Sequence, residues 1–148
     1  MNDPADHMKR LTSRVGIKEV TEDGAPTGER TIALWEPGFI EGAEGDNGAP
    51  VRRAATTEAA EMMAAIVAEG ARTMTFVRSR RSAEQVALRC QAELSGALAR
   101  PDFAQRIASY RAGYLAEDRR KLEKALDNGE LLGVATTSAL ELGIDVGG

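Results

Sequence analysis

The chain has 148 residues, 43% hydrophobic and 28% charged, with a net charge of −4, which is the balance of a globular domain with a real core and not that of a free-standing, strongly basic nucleic-acid binder. No apolar run reaches the roughly 18 residues of a membrane span, and the polar segment Met1 to Arg10 is no signal peptide, so a cytoplasmic protein without a membrane partner is expected. One cysteine, Cys90, and one histidine, His7, exclude an intrachain disulfide and argue against a four-ligand zinc site.

Along the chain, residues 1–30 read as a connector. Val15 to Val20 alternates like a strand and stops at the turn-rich stretch Thr21 to Gly28. Thr31 to Trp35 reads as a short strand. Pro37 to Pro50, with four glycines and two prolines, reads as an exposed loop. Thr57 to Glu69 is predicted helical, with Ala59, Met62, Met63, Ile66 and Val67 on one face and Gly70 as its stop. Arg72 to Val77 reads as a buried strand. Ser82 and Gln85 form a capping box for a helix whose stripe is Ala83, Val86, Ala87, Cys90, Leu94 and Leu98. Pro101 ends that stretch.

A short helix and a strand from Ile107 to Arg111 follow. Ala116 to Asn128 reads as a charged surface helix with Glu117–Lys121 and Arg119–Glu123 pairs. Leu131 to Ala135 is the last strand. Strands alternating with helices over short connections predict an α/β fold, a parallel sheet with helices on both faces. Ligands of such sheets bind at the carboxyl ends of the strands.

Three segments occupy those ends. Val77-Arg-Ser-Arg-Arg-Ser82 runs from strand into helix, where hydroxyls, free amides and guanidinium groups can meet one anion; a capped helix flanked by solvated arginines has the same pattern. In Tyr110-Arg-Ala-Gly-Tyr114, Gly113 suggests a tight turn or a close backbone approach. Tyr114 can stack on a base or close the top of the core. Ala135-Thr-Thr-Ser-Ala-Leu-Glu-Leu-Gly-Ile-Asp145 offers hydroxyls to a phosphate and the Asp145 carboxylate to a ribose, or is an ordinary capped loop. Fifteen arginines against four lysines favour fork-shaped contacts to phosphate or carboxylate.

Together the three segments resemble the second motor domain of superfamily 2 helicases, most closely the bacterial DEAD/DEAH-box helicases of the YprA type, relatives of the large helicase-related proteins. Thr73-Met-Thr-Phe-Val-Arg-Ser-Arg-Arg81 is similar to motif IV, Tyr110-Arg-Ala-Gly-Tyr-Leu-Ala-Glu-Asp-Arg-Arg120 to motif IVa, and Ala135 to Asp145 to motif V. Asp3-Pro-Ala-Asp-His-Met-Lys-Arg-Leu11 resembles the tail of the first motor domain, and Leu34-Trp-Glu-Pro37 the entry to the second. The resemblance implies a RecA-like lobe over 31–148, lacking its last strands, behind a connector over 1–30.

It also implies contacts to the sugar–phosphate backbone by Ser79, Arg80, Arg81, Arg111, Gly113, Thr136 and Thr137. Gly143 and Asp145 would face ATP across the interface with the first motor domain. The implied partners are single-stranded or partly duplex DNA and that first domain. A monomer, 3′-to-5′ movement and a role in DNA repair belong to the same expectation.

The departures from the family pattern matter equally. No G-x-x-x-x-G-K-S/T sequence and no DExH pair occurs, and the chain ends before motif VI. ATP and Mg2+ would then be held mainly by the first motor domain, no catalytic or metal-binding residue is expected here, and the chain alone should not turn over ATP. A stand-alone single-strand binding module and a non-functional truncated α/β domain are the competing expectations.

Overall fold

The computed structural model describes residues 3–22, 24, 28–110 and 113–137. The chain divides into two compact units, residues 1–35 and 36–148. In the first, helix α1 spans Pro4–Thr12. Asp3 caps it by accepting from the Asp6 amide at 3.0 Å, and Pro4 sits in the first turn, where its missing N–H leaves nothing unsatisfied. Val15 to Val20 and Thr31 to Trp35 are not strands, and Leu34 is 98% exposed. Alternation marks residues able to join a sheet, and no partner strand pairs with either stretch among the described residues.

The second unit opens with a hairpin where a loop was expected. Strand β1, Phe39–Glu44, pairs antiparallel with β2, Pro50–Arg52. Asn47 and Gly48 both take left-handed backbone, with φ of 59° and 75°, the conformation that makes Asn-Gly a hairpin signal. The hairpin base is fastened by the Arg53 amide to Gly38 O at 2.9 Å. The Arg52 guanidinium bonds Pro37 O and Glu36 at 2.8 Å each and stacks over Phe39.

Helix α2, Ala55–Ala68, buries Ala60, Met63, Ala64 and Val67: Met63 and Val67 of the expected face turn inward, while Ala59, Met62 and Ile66 do not and Ala60 and Ala64 take their place. The reason is packing against α3, Arg80–Ser95, which buries Ala83, Val86, Ala87, Cys90 and Leu94. Ala60, Ala64, Ala83 and Ala87 interleave in this layer with Met63, Val67, Val86 and Leu94, and Met62 and Ile66 stay exposed. The Cys90 thiol is fully buried, and burial pushes its pKa up to about 11.

Strands β3 (Thr73–Phe76), β4 (Ile107–Tyr110) and β5 (Gly133–Thr136) form a parallel sheet in the order β3-β5-β4. The short helix α4, Pro101–Ala104, precedes β4, and α5, Ala116–Asp127, precedes β5. The crossover from β3 to β4 steps one way along the sheet and that from β4 to β5 steps back. Right-handed crossovers in opposite directions place α3 and α5 on opposite faces. One core joins α2, α3 and α4 to Ile107, Leu132 and Ala135. The other joins Leu122, Ala125 and Leu126 of α5 to Ala108, Tyr110 and Val134.

Adjacent residues Val134 and Ala135 thus face opposite layers, as the pleat requires. The expected buried strand at Arg72 to Val77 leaves Met74 and Phe76 exposed, because among the described residues β3 has a strand neighbour on one side only. Among the described residues no helix is long and apolar enough to cross a membrane.

Candidate nucleic-acid interface

The registers Phe76↔Thr136 and Tyr110↔Thr136 bring the three strands to the same level at their carboxyl ends. The segments after them therefore emerge along one rim of the sheet. After β3, the Val77 amide still donates to Thr136 O at 2.8 Å, and the chain then turns into α3. Ser79, not Ser82, is the N-cap: its Oγ accepts from the Ser82 amide at 3.0 Å and lies 2.8 Å from Ser82 Oγ. The sequence pattern of a capping box placed the helix start three residues late, because Gln85 completes the box after Ser82 while Ser79 has only Ser82 at the matching position.

This shift puts Arg80 and Arg81 in the first turn of α3, which holds no acidic residue, whereas α2, α4 and α5 carry Glu58, Asp102, and Glu117 with Asp118 in theirs. Positive side chains at the positive end of a helix are locally unfavourable. Among the described residues, Arg78, Arg80 and Arg81 pair with no carboxylate. Arg52, Arg53, Arg89 and Arg100 do. Arg106 is spent on backbone carbonyls, Gly129 O and Glu130 O. The free guanidinium groups at the β3–α3 junction thus differ from arginines that hold the fold together.

After β4, a Cβ built on Gly113 would lie 3.7 Å from Arg80 Nη1, so the structure brings Gly113 and Arg80 together. The Tyr114 hydroxyl is 3.0 Å from Ser109 Oγ and its ring is half-buried, which favours the role of closing the sheet's end. Tyr110, the last residue of β4, donates to Glu123 Oε1 at 2.8 Å and ties α5 to this rim. Burial, aided by that hydrogen bond, raises the Tyr110 pKa. Glu123 therefore serves Tyr110, and Lys121 lies 3.8 Å from Asp118 in place of the expected helix pairs.

After β5 the outcome differs from expectation. Thr136 is the last strand residue, not the first loop residue, and its side chain is 0% exposed. Its hydroxyl donates to Thr137 O at 3.0 Å. The strand starts two residues later than expected, at Gly133, and ends one residue later because Thr136 pairs in register with both neighbours. Thr137 is half-buried and is the described hydroxyl residue nearest the rim on this strand. Arg111, Gly143 and Asp145 lie outside the described residues. Arg78, part of the segment Val77 to Ser82, stands two residues after β3.

No protein-family model matches the sequence. The chain is 33% identical over 147 residues to ATP-dependent helicase hrq1 of Schizosaccharomyces pombe. It is 35% identical over 151 residues to ATP-dependent helicase HRQ1 of Saccharomyces cerevisiae and 31% identical over 144 residues to the ATP-dependent helicase YprA of Bacillus subtilis. Over nearly its whole length the chain is similar to a segment of these ATP-dependent helicases. The alignments cover 97–100% of this chain but only 13–18% of those relatives, so it corresponds to a segment of such a helicase.

A crystal structure of DUF1998 helicase MrfA bound to DNA and AMPPNP superimposes with a TM-score of 0.79 and 30% identity, covering 99% of this chain and 19% of that one. A second MrfA structure, bound to DNA, gives 0.58 and 34% over 69% of this chain and 16% of its own. The α/β fold of this segment is accordingly that of a RecA-like helicase lobe.

Proposed function

We propose that this chain supplies the strand-tracking surface of a YprA-type DNA helicase, with residues 31–148 as its second motor lobe and 1–30 as the connector from the first. The observation that carries the reading is the first turn of α3: Arg80 and Arg81, which pair with no carboxylate among the described residues, stand at a helix N-terminus with no acidic residue, and Gly113 lies beside Arg80, within van der Waals reach of its guanidinium. A phosphate there would be met by both guanidinium groups and by free amides, converting an unfavourable placement into a favourable one.

In this reading Ser79, Arg80, Arg81, Arg111 and Gly113 hold the sugar–phosphate backbone, with Thr137 taking the share first given to Thr136. Backbone contacts position a strand without reading its sequence. Gly143 and Asp145 would meet ATP at the interface with the first motor lobe. No described cluster of His, Cys, Asp or Glu fits a metal ion, and no Walker sequence fits the β- and γ-phosphates. Mg2+ and those phosphates therefore fall, in this proposal, to the first lobe, and the chain alone gives no ATP turnover. The 3′-to-5′ direction, the repair role and a cytoplasmic monomer belong to the same proposal.

The test is binding of labelled single-stranded DNA by anisotropy over a salt series. Log affinity should fall with log salt by about 0.7 per phosphate contacted. Arg80→Ala should weaken binding alike for all sequences and reduce that slope by about one contact. A variant that binds as tightly as the parent, with the same slope, refutes the assignment.

A further inference from the structure

Beside the proposed backbone path, the end of β3 opens onto a hollow of about 490 Å3. Ala55 and Ala59 of α2, with Phe76 and Val77, give it an apolar lining, and Thr56, Arg78 and Ser82 supply its polar groups. The volume lies within the range of small-molecule sites. The two alanines leave room for a flat group, and the polar set is two hydroxyls and a guanidinium that only donates. No carboxylate lines the hollow, and Arg78 pairs with none among the described residues. The ligand this suits is flat, apolar on its faces and rich in acceptors at its edge. A nucleobase has that chemistry: its face packs on apolar side chains, and a guanidinium meets its carbonyl and ring-nitrogen acceptors.

The hollow is also continuous with the tracking surface, since the Ser82 hydroxyl that lines it lies 2.8 Å from Oγ of Ser79. We propose that this hollow seats one base of the bound strand, so that the lobe grips a base as well as the backbone. The inference rests on the strand-binding reading given above and adds to it a contact that a bare sugar–phosphate chain cannot make.

The experiment compares two labelled oligonucleotides of equal length on the full chain, one of thymidines and one in which every nucleotide is an abasic tetrahydrofuran unit. Backbone contacts alone make their affinities equal. A seated base makes the thymidine strand roughly tenfold tighter. Ala59→Phe, which fills the hollow, should bring both strands to the abasic affinity. Arg78→Gln, which leaves the helix packing untouched, should remove part of the difference and guards against a folding defect in the first variant. Equal affinities with a normal salt slope overturn the hollow while leaving the backbone reading standing. A preference for the base-bearing strand that survives both substitutions places the base elsewhere and also overturns the inference. Absence of binding by either strand overturns both.

Discussion

Gly133, the first residue of β5, stands where the sheet meets α2. A Cβ added there would lie 2.6 Å from Met63 Cε and 2.6 Å from Ile107 Cδ1, and 3.3 Å from Val67 Cγ2. Unstrained carbon contacts lie at about 3.5–4.0 Å, so Gly133→Ala overlaps two buried methyl groups by roughly 1 Å each. Overpacking of this kind costs about 1–3 kcal/mol. Stiffening the unfolded chain by removing a glycine offsets about 0.4–1 kcal/mol of it, which leaves a net loss of about 1–2 kcal/mol.

For a unit of this size that corresponds to a Tm lower by roughly 4–8 °C. Far-UV circular dichroism is the right probe, because the single tryptophan, Trp35, is 66% exposed and lies in the other unit. Met63→Ala alone should be destabilising by about 2–5 kcal/mol through the cavity it leaves. In that background Gly133→Ala keeps its overlap with Ile107 but loses the one with Met63, and should cost less than it does in the parent. If Gly133→Ala has the same effect in both backgrounds, or none in either, then β5 is not pressed against Met63 and the packing argument fails.

Ser79 separates structure from binding. Ser79→Ala should lose about 1 kcal/mol with the cap. Ser79→Asp should keep the cap and the stability, because a negative charge suits the helix N-terminus, yet weaken single-strand binding several-fold by repelling phosphate. An Asp variant that binds like the parent would reduce Ser79 to a cap. The hydrogen bond from Arg53, supported by Arg89, holds the Glu61 carboxyl below its ordinary pKa. The stability it contributes is present above the unfolded value of about 4.3 and is lost as pH falls through the lower folded value. The urea midpoints of parent and Glu61→Gln should therefore converge on acidification below about pH 4; a constant gap from neutral to acid pH contradicts this. Cys90, with its thiol pushed to about 11 by burial, should resist a disulfide reagent at mildly alkaline pH until denaturant is added, and rapid labelling of the folded chain would show the α2–α3 layer to be open.

The elements with strong local signals were legible without the structure. The period of α3, with Ala83, Val86, Ala87, Cys90 and Leu94, matches the face it buries, and Leu98 of the expected stripe falls beyond the helix end and is exposed. The glycine stops and the strand–helix alternation were enough to place a parallel sheet. The hairpin was legible too, in Asp46-Asn-Gly48, but glycine density over Pro37 to Pro50 masked it.

Other features had no local signature. Which stripe of α2 turns inward depends on the alanines of a helix 25 residues further on, because close packing is a property of the pair. Whether an alternating stretch such as Thr31 to Trp35 becomes a strand depends on a partner that no stretch of sequence contains. Thr136 reads as a loop hydroxyl until two flanking strands extend the ladder by one residue and bury it. The sequence by itself determined the family resemblance, the order of the segments and the chemistry on the rim, since these are written in contiguous residues. Only the tertiary structure decided that Arg80 stands beside Gly113 and that α2 and β3 leave a hollow between them, because each of these is a distance between residues far apart in the chain.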